Sequence, residues 1–123
     1  MSCFKGSDTD CYDPSDIIFV SSPYTSDDPL VLELRMQALT RYLATLASEN
    51  KVAFSPLLMH FCLESGVDLP SDFDFWANFC LNLLYKCDVV HVLKLAGWDE
   101  SKGVLTEIAF AEENDIPVVY VDI

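Results

Sequence analysis

The segment GWDESKGVLTEIAFA, residues 97–111, holds the residues with the clearest chemical potential. It runs from the end of a predicted strand into a predicted helix that has Ser101 as its N-cap and closes at about Asn114. A helix start exposes unpaired backbone N–H groups and carries partial positive charge. With the Ser101 hydroxyl added, it suits a phosphate or a ribose oxygen, although an ordinary capped start reads the same way. Glu107 is the sharper feature. Its helical neighbours three and four residues away are Gly103, Val104, Phe110 and Ala111, so it falls on a largely apolar face, unlike Glu112 and Glu113. Helical side chains lean toward the N-terminus, which carries the carboxylate back over Gly103, where no side chain blocks the space. The expectation is a carboxylate aimed at an open pocket and kept ionised by the helix dipole, as a nucleophile requires. The alternative is a surface Glu on a helix whose buried stripe lies elsewhere.

Other chemistries find less support. His60 and His91 are the only histidines, and no GxSxG elbow is present for Ser-His-Asp catalysis. His91 sits inside a predicted strand and reads as a satisfied core residue. His60 lies near the ligand edge, where it is placed equally well to cap or to pack. HExxH and Cys/His clusters are absent, so no metal is expected. GxGxxG and Walker A loops are absent too, so neither a dinucleotide nor an ATP loop is expected, and no cofactor is assigned.

The elements that must position these residues alternate. Ile17–Ser21 is a short apolar run, ended by Ser22-Pro23, that reads as a buried parallel strand. Leu30 to Asn50 has helical spacing through Leu32, Met36, Leu39, Leu43 and Leu46. Val52–Ser55 is a second strand, Leu57–Ser65 a short helix ended by Gly66, and 67–72 a loop. Asp74–Lys86 is a further helix, capped by Asp72 or Asp74, with Phe75, Phe79 and Leu83 on one face. Val89–Leu93 and Val118–Val121 complete the strands, and Asp88 marks a strand start at the edge far from ligands. This order predicts an α/β fold of Rossmann or flavodoxin type. It has three layers, a four- to five-stranded mainly parallel sheet, and helices on both faces. Residues 1–15 form a polar lead-in and 16–123 a single domain.

In such sheets ligands bind beyond the C-terminal strand ends. Three loops follow from that rule: Ser21–Thr25, Ser55–His60 and Lys94–Gly103. They carry Ser21, Ser22, Tyr24, Ser55, His60, Trp98, Asp99, Ser101 and Gly103. Trp98 is either an aromatic wall for a base or a loop anchor.

Composition narrows the partners. A net charge of −13 repels phosphate backbones and anionic membrane surfaces, so nucleic acid and membrane are not expected partners. The five cysteines, at 3, 11, 62, 80 and 87, are odd in number and lack zinc-type spacing. Cys62, Cys80 and Cys87 read as small core residues. Reduced thiols, no signal-like apolar run and no spanning segment together lead to an expected cytoplasmic location.

Taken in order, these residues resemble the nucleoside 2-deoxyribosyltransferase-like superfamily, with the form nearest to small bacterial and phage members. IIFVSSPYT resembles the family's opening strand with its Pro-aromatic turn. VAFSPLLMHF resembles its second strand, and CDVVHVLKLAGWDESKGVLTEIAFAEENDIPVVYV resembles the block with S-x-G-x-x-x-E after a strand. The resemblance runs from Ile17 to the C-terminus and implies a role for each matching position. Glu107 would attack the anomeric carbon, with Tyr24 orienting the carboxylate. Ser21, Ser22 and Pro23 would belong to the opening turn, Ser101 and Gly103 would hold a 5′-phosphate, and Asp99 would contact substrate. His60 or an acidic loop residue would protonate the leaving base. The implied ligand is a nucleoside or nucleotide, cleaved by hydrolysis or by deoxyribosyl transfer, and the implied assembly is a homo-oligomer, a dimer or larger. One departure stands out. The family pattern has an Asp on the helix before the CD strand, where this chain has Cys80 or Asn78, with Asp74 upstream as a substitute. That departure keeps a non-catalytic nucleotide-binding module open as an alternative.

Overall fold

The computed structural model describes residue 13 and residues 15–123; the rest of the lead-in lies outside the described residues. The elements are β1 (Ile17–Ser21), α1 (Pro29–Ser48), β2 (Val52–Phe54), a 3-10 segment (Pro56–Glu64), α2 (Phe73–Tyr85), β3 (Val89–Leu93), a 3-10 turn (Trp98–Glu100), α3 (Lys102–Glu113) and β4 (Val118–Val121). The four strands are all parallel, in the order β2-β1-β3-β4, and helices cover both faces. The fold is therefore the expected Rossmann- or flavodoxin-like α/β arrangement.

Strand parity decides what each face carries. Ile18 and Val20 of β1 pack with Leu39 and Leu46 of α1. Phe19 turns to the opposite face, where Leu84 of α2 and Val104, Ile108 and Ala111 of α3 meet Val90 and Val92 of β3. Full burial of such side chains stabilises the fold by roughly 1.5–3 kcal/mol each. His91, on the α1 face, has Nδ1 2.7 Å from the Tyr42 hydroxyl, and burial followed by the Lys51 charge holds its pKa below the ordinary value. It is a satisfied core residue, as its place in the strand suggests. Asp88 Oδ2 accepts the Ile17 N–H at 2.8 Å, pinning β1 to the start of β3 at the edge away from the strand C-termini.

Helix ends follow side-chain chemistry. Asp28, Asp72 and Ser101 are the N-caps of α1, α2 and α3, accepting from Leu30, Phe75 and Val104 N–H respectively. After α1 the chain turns at Asn50, which adopts φ 62°, a left-handed conformation that Asn tolerates. Two expectations need correction. Ser55 has left the strand and caps the next segment, which is 3-10 rather than α-helical from Pro56 onward. The face of α2 shared by Phe75, Phe79 and Leu83 is mixed, with Phe75 41% exposed and Leu83 packed against the core beside the fully buried Leu84. Almost every position of FDFWANFCLNLLY is apolar, so periodicity leaves the direction of its buried stripe open.

Arg35 of α1 ties the strand-end loops together. Its guanidinium donates to the Tyr24 and Thr25 carbonyls at 3.2 and 2.9 Å and to the Ala96 carbonyl at 2.9 Å. Gly97 makes the approach possible, having φ +87° and a Cβ position only 3.0 Å from the guanidinium. Gly97→Ala is expected to cost roughly 1–3 kcal/mol in urea denaturation, from left-handed strain plus displacement of Arg35. Gly103→Ala, whose Cβ would meet nothing nearer than Ser101 Oγ at 4.0 Å, is expected to leave stability unchanged or slightly raised.

Candidate active site

A cavity of about 610 Å³ opens beyond the C-terminal ends of β1, β2 and β3. It lies where the chain order reverses about β1, the position favoured for ligands in open α/β sheets. Its volume falls within the range of small-molecule sites. The turn after β1 supplies Ser22, Pro23 and Tyr24, the turn after β2 supplies Ser55, and α3 supplies Ser101, Gly103 and Glu107. All three predicted loops thus reach one cavity.

Glu107 sits between the buried residues Val104 and Ile108 on α3, which turns its side chain inward. Ser21 lies on the same face of β1 as Phe19, and its buried hydroxyl donates to Glu107 Oε1 at 2.6 Å. The Cys80 thiol of α2 lies beside this carboxylate and favours its ionised form. Burial is the dominant influence and pushes Glu107 up to about 7, against the smaller opposing effects of the Ser21 hydroxyl and the Cys80 thiol. The expectation that the helix dipole keeps this group ionised is therefore corrected. Glu107 lies more than a turn inside α3, beyond the reach of the terminal dipole, and desolvation wins. Cys80 is pushed up to about 12 by burial and by the neighbouring Glu107 charge, so its thiol keeps its proton.

The other expected residues divide. Tyr24 lines the cavity, but its hydroxyl lies 3.3 Å from His60 Nε2, and the side-chain hydrogen bond on Glu107 comes from Ser21. His60 stands behind Tyr24 with ring centroids 5.2 Å apart and is not itself a wall. Ser22 faces the cavity with a buried hydroxyl that lacks a hydrogen-bond partner. Ser101 both caps α3, accepting from Val104 N–H at 3.3 Å, and lines the cavity. Trp98 is a loop anchor, packed on the core and 5.6 Å from the Tyr120 ring. Asp99 is exposed and outside the cavity, where Glu100 takes the wall position instead. Asn78 is exposed and donor to nothing in the cavity, while Asp74 is exposed on the first turn of α2; neither lines the cavity, and Cys80 does.

Sequence reasoning missed the wall that α2 contributes. Phe73 and Trp76 supply the aromatic surface that was one of two readings of Trp98, and Trp76 Nε1 donates to the Pro70 carbonyl at 2.7 Å. Lys102 Nζ lies 4.1 Å from the Phe73 ring centroid, so a cation–π contact joins the starts of α2 and α3 across the rim. Only the bulk and N-terminal position of Phe73 and Trp76 hinted at this role. Among the described residues no group of three or more His, Cys, Asp or Glu is placed to hold a metal, and no helix is long and apolar enough to cross a membrane.

The raised Glu107 pKa has a consequence for stability. Between its ordinary 4.5 and about 7 the folded protein holds a proton that the unfolded chain has lost, so this group makes the fold progressively less stable as pH rises through that window. Glu107→Gln removes the penalty. It is expected to raise the melting temperature by several degrees at pH 8, with the gain shrinking toward pH 5, as read by thermal unfolding across pH. An equal gain at both pH values contradicts the burial argument.

Comparison with known proteins agrees with this architecture. A solved 2-deoxyribosyltransferase from the psychrotolerant bacterium Bacillus psychrosaccharolyticus superposes with a TM-score of 0.64, covering 86% of this chain and 72% of that one. At 15% identity the likeness is one of fold. No curated protein sequence matches the chain. Residues 16–123 match the DUF1937 family, described as a domain of unknown function, across all the strands and helices that build the cavity. The chain belongs to the DUF1937 family.

Proposed function

We propose that the protein cleaves the N-glycosidic bond of a nucleoside or nucleoside 5′-monophosphate, by hydrolysis or by 2-deoxyribosyl transfer, with Glu107 as nucleophile. The observation that carries this reading is an enclosed carboxylate facing a cavity of nucleoside size, held by the Ser21 hydroxyl at 2.6 Å. Its raised pKa leaves a substantial ionised fraction near neutrality, and the ionised oxygen is only lightly solvated, which favours attack on C1′. A positively charged, oxocarbenium-like sugar is stabilised by a carboxylate in such surroundings far better than in water. Phe73 and Trp76 offer aromatic faces for a base, and Ser101 and Gly103 offer the start of α3 to a 5′-oxygen or phosphate. The shared fold with a 2-deoxyribosyltransferase supports the same reaction class. By the sequence resemblance described above, a homo-oligomer is the proposed assembly.

The wild-type protein is expected to release free base from at least one member of a panel of nucleosides and 5′-monophosphates, as separated by chromatography. Glu107→Gln should lower that rate on the order of a thousandfold or more. The kcat/KM of the wild type should fall on the acid side of about pH 7, as Glu107 takes up its proton. Base release undiminished in the Glu107→Gln variant contradicts the assignment.

One observation favours a second reading. Cys80, not a carboxylate, lies beside Glu107, and its thiol keeps its proton. A nucleotide-binding module without turnover would show ligand-dependent stabilisation with no base released.

A further inference from the structure

We infer that Tyr24 and His60 form a proton relay that protonates the departing base, with Tyr24 touching substrate and His60 acting through it. The inference rests on the glycosidic reading above. A base leaving as an anion is a poor leaving group, so a neutral base needs a proton donor in the cavity. Three of the nearby donors are already engaged. The Cys80 thiol is turned to Glu107, the Lys102 ammonium sits over Phe73, and the Ser21 hydroxyl donates to Glu107. Tyr24 is different: it lines the cavity and has an imidazole nitrogen 3.3 Å from its hydroxyl. His60 in turn reaches solvent, its side chain 34% exposed, and Glu64 Oε2 lies 3.9 Å from the same Nε2.

The step balances without any further reactant. Glu107 forms the bond to C1′ as the C1′–N bond breaks, and the electron pair of that bond goes to the base. The base takes the phenolic proton of Tyr24. The Tyr24 oxygen takes the proton of His60 Nε2 while His60 Nδ1 takes one from solvent, so the imidazole stays neutral throughout. With Nε2 donating to the phenol oxygen, the Tyr24 O–H is free to point at the base. A merely structural Tyr24–His60 contact would make no distinction between leaving groups, whereas a relay must.

The test compares the natural 2′-deoxynucleosides and their 5′-monophosphates with N7-methylated purine counterparts, whose base is already cationic and leaves without an added proton. Tyr24→Phe and His60→Gln are expected to slow release of neutral bases by about 100-fold or more while keeping release of the cationic base within about threefold of wild type. Melting temperatures of both variants confirm folding, and Tyr24→Phe keeps the ring in place. Equal losses on both substrate types, or no loss on either, overturn the relay. Glu107→Gln separates the two levels: if it abolishes release from both substrate types while Tyr24→Phe and His60→Gln match wild type, the relay fails and the glycosidic reading stands. If wild type releases no base from any substrate, or Glu107→Gln releases it normally, both fail.

Discussion

The hydrogen bond from Ser21 to Glu107 joins the end of the central strand to the middle of the last helix, and the organisation of the cavity depends on it. A buried carboxylate without donors is expensive, and one given several strong donors becomes an inert anion. Glu107 lies between these limits. Its side-chain donor is the Ser21 hydroxyl, with the Cys80 thiol beside it, enough to hold the carboxylate in one orientation and too little to offset its loss of water. The result is a group near 7, able to exist in either protonation state under ordinary conditions.

That balance requires three elements to converge, and the sheet order brings them together. β1 lies between β2 and β3, so the chain crosses behind β1 on its way from β2 to β3. The crossing lays α2 alongside α3, with Cys80 on one side of Glu107 and Ser21 beneath it. The turn after β1 would otherwise be an unsupported loop. Arg35, reaching from α1 to the carbonyls of Tyr24, Thr25 and Ala96, fixes it against the turn after β3. Tyr24 and Ser22 therefore face the cavity from a braced segment.

Much of this was legible in the residues. Strand parity alone separates Ile18 and Val20 from Phe19 and Ser21, and helical spacing alone sets Glu107 beside Val104 and Ala111. The rule about strand ends found the right loops because parallel sheets leave no other edge at which so many backbone turns converge. What stayed hidden depends on docking between distant elements. Trp76 and Phe73 become cavity walls only once α2 is laid over the strand ends, and an almost uniformly apolar helix does not announce which side faces inward. Trp98 and Trp76 look alike in the sequence, yet one anchors a loop and the other lines the site. The sign of the Glu107 shift was hidden for another reason. The helix dipole is visible in a sequence, whereas the depth of desolvation around one side chain is not.

The most direct measurement is a carbon-13 NMR titration of the Glu107 carboxyl carbon, assigned by its absence in Glu107→Gln. A midpoint near 7, moving toward higher pH when Ser21→Ala removes a donor to the ionised form, is the expected result. A midpoint at its ordinary 4.5, unmoved by Ser21→Ala, would place the carboxylate in open water and contradict a dry, poised group in the cavity.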